Sequence, residues 1–272
     1  MKNKLDSLFY HTAICSAQKQ IALDGRRKIA CANFSSPLRN KSCSEMRISM
    51  LREGTLEDIS DGKLYSENDM VKADTNSCRG CKSVCCHGMG KTIILDPYDI
   101  YRLTAQFKCS FDELLNGRIE LNVVDGIILP NLKMDDTTKD CSFLDENRRC
   151  QIHMSRPGIC RLFPLGRYWE DDEHFKYILQ TGQCRKDNLT KIKLKKWLDT
   201  PDLAIYNSFI TKWHVYIKKI QRAMQPLTQD QIRILTMYTL KTFYTTPYDI
   251  NSDFYSQFDE RMELALKTLA LN

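Results

Sequence analysis

The stretch that most constrains this chain is Cys78-Arg-Gly-Cys81-Lys-Ser-Val-Cys85-Cys86, four thiols within nine residues. Cys141, Cys150, Cys160 and Cys184 follow at a distance. Whatever fold forms must account for what holds these sulfurs. No secretory signal is expected ahead of them. Leu8-Phe9-Tyr10 runs at once into His11 and Thr12, without the apolar stretch that export requires. Thiols kept reduced and clustered in sequence predict metal binding or catalysis rather than disulfide pairing.

A chain of 272 residues has room for one sizeable domain with an appendage, or for two small ones. No run approaches the ~20 consecutive apolar residues of a membrane helix, so a soluble, cytoplasmic protein without membrane contact is expected. The formal charge of +6 needs locating before it is read as a nucleic-acid signal. Residues 1–49 hold nine of the 40 Lys and Arg and three of the 34 Asp and Glu, which leaves 31 of each for the rest. The main body carries no basic surplus to steer it to phosphate, and nucleic acid is not an expected partner.

Residues 1–49 show no sustained periodicity and mix Cys15, Cys31 and Cys43 with Arg26-Arg27-Lys28. They read as a disordered basic leader or as a misassigned start, with Met46 or Met50 as the true first residue. An Arg-rich transit peptide is a third reading. Residues 50–190 are expected to form a cysteine-cluster metal-binding domain, and 191–272 a helical region.

Within that domain Thr92-Ile-Ile-Leu95 reads as a strand. Asp96 and Pro97 open a helix running through Gln106. Ser110-Phe-Asp-Glu113 is a capping box for a second, short helix that Gly117 ends. Val123-Val124, Asp125-Gly126 and Ile127-Ile128-Leu129 predict a hairpin. Cys109 stands apart from the other thiols and reads as a packed side chain. Beyond Lys191, Ile205, Phe209, Trp213, Ile217, Ile220 and Met224 form a helical apolar stripe. Thr228-Gln-Asp-Gln231 caps another helix running to about Thr246, and Phe254, Phe258, Met262, Ala265 and Leu269 make a third stripe. The fold class is α+β: a small cysteine-rich metal-binding domain of short strands and helices, followed by an α-helical C-terminal region.

The candidate metal ligands are Cys78, Cys81, Cys85, Cys86, Cys141, Cys150, Cys160 and Cys184. A C-x2-C turn aims both sulfurs at one metal, and Gly80 leaves backbone N–H groups open to thiolate. Adjacent side chains diverge in a strand or helix, so Cys85 and Cys86 are expected to serve different sites, or one of them none. Cys141 and Cys150 bracket a polar turn that brings the two ends of a short hairpin together. Cys160 follows a Pro157-Gly158 turn, and Cys184 a strand and turn. Eight thiols suit two four-ligand sites, or one cluster with thiols to spare. Arg156 and Arg161 would offset thiolate charge, or serve as surface salt-bridge partners.

Taken together, Cys78, Cys81, Cys85-Cys86, Cys141-Ser-Phe-Leu, Cys150-Gln-Ile-His, Arg156-Pro157, Cys160-Arg161, Phe163-Pro164 and Cys184 resemble a known family. It is the zinc- or iron-chelating cysteine-cluster family (CxxCxxCC, YkgJ-like), which includes flagellin lysine N-methylases. The resemblance covers about Ser77 to Cys184. One departure stands out: Lys82-Ser83-Val84 puts three residues, rather than two, before the double cysteine. The resemblance implies a metal centre, often an iron–sulfur cluster, without implying one activity.

Three functional expectations follow. The first is a cytoplasmic protein binding an iron–sulfur cluster, of the 4Fe-4S type, with redox or accessory work in protein modification on a protein partner or substrate. The second is a zinc-stabilised binding module without catalysis. The third is a flagellin lysine N-methylase-like protein methyltransferase. The cysteine order Cys78-x2-Cys81-x3-Cys85 reverses the C-x3-C-x2-C of radical S-adenosylmethionine enzymes. No catalytic residue is identified. Asp171-Asp172-Glu173-His174 reads as a solvated acidic turn, His87 has no nameable partner, and His214 reads as a packed or surface residue.

Overall fold

The computed structural model describes residues 55–75, 83–184 and 188–271. The 1–49 leader, Met50, Cys78 and Cys81 lie outside these. In chain order the elements are α1 (Leu56–Ile59), β1 (Met70–Asp74), α2 (Pro97–Phe107), α3 (Phe111–Leu115), β2 (Ile119–Val124), β3 (Ile127–Leu132), α4 (Gly158–Leu162), β4 (Leu165–Trp169), β5 (Phe175–Leu179), β6 (Thr190–Lys193), α5 (Leu194–Leu198), α6 (Leu203–Met224), α7 (Gln229–Leu240) and α8 (Phe254–Thr268). Single turns of 3-10 helix at Val84–Cys86 and His153–Ser155 lie in the cysteine region. The class is α+β, with helices dominating the C-terminal part.

The local signals act as written in the sequence. Asp96, Ser110 and Thr228 each cap a helix through a reciprocal box with the residue three positions on. Asp125 and Gly126 both take positive φ, the geometry of a two-residue hairpin turn, and β2 pairs with β3 in register from Ile119↔Leu132 to Val124↔Ile127. Two expectations need correction. Thr92–Leu95 makes only one bridge, Ile94↔Asn131, because the cap at Asp96 ends the extended run at once. The long helix opened by Thr228 gives way after Leu240 to a π-helical segment, Lys241–Thr245.

The stripes become the core. Phe209, Trp213, Ile217, Ile220, Met224, Phe254, Phe258, Met262, Ala265 and Leu269 are buried, whereas Ile205 at the start of α6 is exposed. They join Ile93, Leu95, Leu103, Ile127, Leu129, Phe143 and Ile152 in one hydrophobic cluster, so the C-terminal helices pack on the stretch that carries the cysteines. A second cluster holds Val71, Ala73, Leu162, Leu165, Tyr177, Leu194 and Leu198. It is closed by antiparallel pairing of β1 with β6 and by the bridge Tyr65↔Tyr177 to the β4–β5 hairpin. Helix α4 connects the two clusters: Cys160 packs on the first and Leu162 lies in the second. Among the described residues, no helix is long and apolar enough to cross a membrane.

Candidate metal centre

Three loop segments converge on one cavity of about 60 Å³ lined by Cys85, Cys86, Cys141, Cys150 and Cys160. The first segment is a tight turn. Ser83 takes a left-handed conformation (φ 58°), and Cys86 N–H donates to its carbonyl, which winds Val84–Cys86 into 3-10 helix. The Ser83 side chain is turned inward and donates to the Arg148 carbonyl, tying this turn to the second segment. There, Cys141 N–H donates to the Cys86 carbonyl at 2.8 Å, and Gly88 N–H to the Lys139 carbonyl at 2.8 Å. Ser142 N–H donates to Lys133, so residues 139–142 are held from both sides.

The polar turn between Cys141 and Cys150 forms as the spacing implies. Asp145 and Arg149 pair across it, and Leu144 bridges Cys150. The third segment differs from expectation. Pro157-Gly158 is not a free turn but the start of α4, held because Gly158 N–H donates to the buried Asp99 carboxylate at 2.8 Å. Gly158 is required here. A Cβ at this position would stand 2.1 Å from the Tyr206 hydroxyl.

The adjacent thiols also overturn an expectation. Cys85 and Cys86 do not diverge: their Sγ atoms are 3.9 Å apart and both line the cavity. Both sulfurs reach the cavity from this single turn, which the left-handed Ser83 leads into. The Cys86 thiol, hydrogen-bonded to Cys150 and Cys85, has its pKa pushed up. That same hydrogen bond lowers Cys85 and Cys150 to about 7, helped by the positive charge of Arg156. The shift is toward the thiolate, the form that binds metals. Burial pushes Cys141 up to about 11 and raises Cys160 well above the ordinary thiol value.

Cys184 is half-buried after β5 and does not line this cavity. Cys109 packs on the core, with its thiol pKa raised by burial. Arg156 lines the cavity, as a charge-offsetting role requires. Arg161 is not a surface salt-bridge partner; it is buried and donates to the Asp199 carbonyl and to Thr200 Oγ1. The acidic turn is exposed between β4 and β5, with His174 held by its own Asp171. His87 does have a partner, Asp140, at 2.9 Å on the surface. His214 stacks on Trp169 with ring centroids 3.6 Å apart. His153, outside the sequence-derived ligand set, lines the cavity beside the thiols.

The residues fit a metal in their chemistry: five soft sulfur donors, two near-neutral in pKa, face one enclosed space. Among the described residues, no three Cys, His, Asp or Glu side chains converge to closed ligand geometry. Residues 77–186 match the family model CxxCxxCC, described as "Putative zinc- or iron-chelating domain". No solved structure matches the chain.

Proposed function

We propose, taking residues 77–186 as a zinc- or iron-chelating domain of the CxxCxxCC family, that the chain is a metal-binding protein whose centre is built on Cys85, Cys86, Cys141, Cys150 and Cys160. Cys78, Cys81 and Cys184 complete the candidate set. The observation that carries this is the Cys85–Cys86 spacing. Four sulfurs at ~2.3 Å from one tetrahedral ion stand about 3.8 Å apart, and these two are 3.9 Å apart. That favours a single thiolate-held ion. Such an ion would supply cross-links among the 83–86 turn, the 141–150 turn and α4, with Arg156 offsetting the thiolate charge. In this reading the domain is a metal-stabilised binding module acting on a protein partner, in the cytoplasm, where thiols stay reduced.

A second reading, an iron–sulfur cluster of the 4Fe-4S type with redox or accessory work in protein modification, has its own support. Five thiols line the cavity, one more than a single tetrahedral ion takes. Metal analysis with a visible spectrum on anaerobically prepared full chain separates the two. A colourless protein with about one zinc per chain supports the first, a brown protein with several irons and acid-labile sulfide supports the second, and a chain without either metal removes both. The methyltransferase alternative rests on the family resemblance alone. Calorimetric titration with S-adenosylmethionine tests it, and absence of heat removes it.

A further inference from the structure

We infer that His153 supplies a nitrogen ligand to the metal centre, making the site a mixed thiolate–imidazole one; this rests on the metal-binding reading above. Three observations meet at this residue. His153 lines the same cavity as Cys85, Cys86, Cys141, Cys150 and Cys160. Its Nε2 atom is buried with no hydrogen-bond partner among the described residues, a state that is costly for a ring nitrogen unless something occupies it. And its backbone is fixed relative to a thiol: His153 N–H donates to the Cys150 carbonyl at 3.3 Å, which starts the 3-10 turn His153–Ser155. Cys150 and His153 thus sit three residues apart on one turn.

The surroundings hold the turn in place. Arg156 Nε donates to the His153 carbonyl at 3.1 Å, closing the turn and placing a guanidinium beside the imidazole. A ring nitrogen buried beside thiols is placed to share an ion with them. A Cys3His arrangement is an ordinary zinc set.

The test uses the full chain, reduced and loaded with Zn2+ alone. X-ray absorption at the zinc edge of the unsubstituted protein is expected to show mixed sulfur and nitrogen scattering with the outer-shell features of a bound imidazole. Those features vanish in His153→Phe, which keeps a ring in the space, and persist in His87→Gln, which alters an exposed histidine outside the cavity. Competition with a chromophoric chelator is expected to show zinc held at least tenfold more weakly by His153→Phe. An all-sulfur spectrum in the unsubstituted protein overturns the inference and leaves the metal-binding reading standing, whatever the folding of the variants. Failure of the full chain to take up zinc overturns the inference and the single-ion reading, and leaves the iron–sulfur reading to the metal analysis above.

Discussion

The C-terminal helices and the cysteine-bearing loops meet in one hydrophobic cluster, yet each keeps its shape by different means. In the helices, rings interlock: Phe258 lies 4.6 Å from Phe209, Phe243 5.1 Å from Trp213, and Phe254 6.0 Å from Phe258, all of these buried. Such packing needs nothing from outside the chain. In the loops, one-turn helices and isolated bridges surround a cavity into which five thiols face, and Ser83, Asp99 and Arg156 hold the turns by single hydrogen bonds. Apolar burial completes the first region. In the proposed function, a metal completes the second.

The sharpest way to break this contrast is to remove the metal. With a strong chelator under reducing conditions, amide exchange at 83–86 and 139–162 is expected to rise by about a hundredfold or more, and at Phe209–Ile220 and Phe258–Ala265 by less than about tenfold. Uniform loss of protection would make the two regions one unit and defeat the comparison. The converse perturbation is Phe258→Ala. Truncating this ring is expected to cost about 3–5 kcal/mol in chemical denaturation, while the folded protein keeps its metal content.

Gly158→Ala probes the seam between the regions. The added methyl meets the Tyr206 hydroxyl at 2.1 Å on α6, so a loss of about 1–3 kcal/mol is expected. Tyr206→Phe in the same chain is expected to restore most of it; no rescue would place the strain elsewhere. The smallest effect concerns His214. Stacked on Trp169, it is lowered to about 4, first by burial and then by Lys218. The unfolded chain therefore binds more protons between pH 6.5 and 4, and stability present above pH 6.5 is lost as pH falls through that window. Discounted for partial exposure, this amounts to on the order of 1 kcal/mol. His214→Gln is expected to flatten the pH dependence of the thermal midpoint between pH 7 and 5 by about 2–4 °C.

What could be read from the residues was local. The boxes at Asp96, Ser110 and Thr228, the Asp125-Gly126 turn and the buried stripes of α6 and α8 all act between positions a few residues apart. The pairing of β1 with β6 joins segments some 120 residues apart and has no signature in either strand. The candidate site divides the same way. The clustering of the cysteines is legible in the sequence, and five of the eight line one cavity. How Cys85 and Cys86 share it was not, because their turn depends on the left-handed Ser83 and its bond to the distant Arg148 carbonyl. The extra residue before the double cysteine falls in this turn. His153 stands three residues beyond Cys150 in the sequence, but its place in the cavity and its buried Nε2 atom, unpartnered among the described residues, are visible only in the fold.

The central claim is that the thiols at the 83–86 turn hold a metal. Its most direct test is elemental analysis of the anaerobically purified full chain beside Cys85→Ser and Cys86→Ser, each shown to be folded by circular dichroism. The account predicts stoichiometric zinc or iron in the unsubstituted protein and a loss of most of it in both variants. Unchanged metal content in both would contradict it.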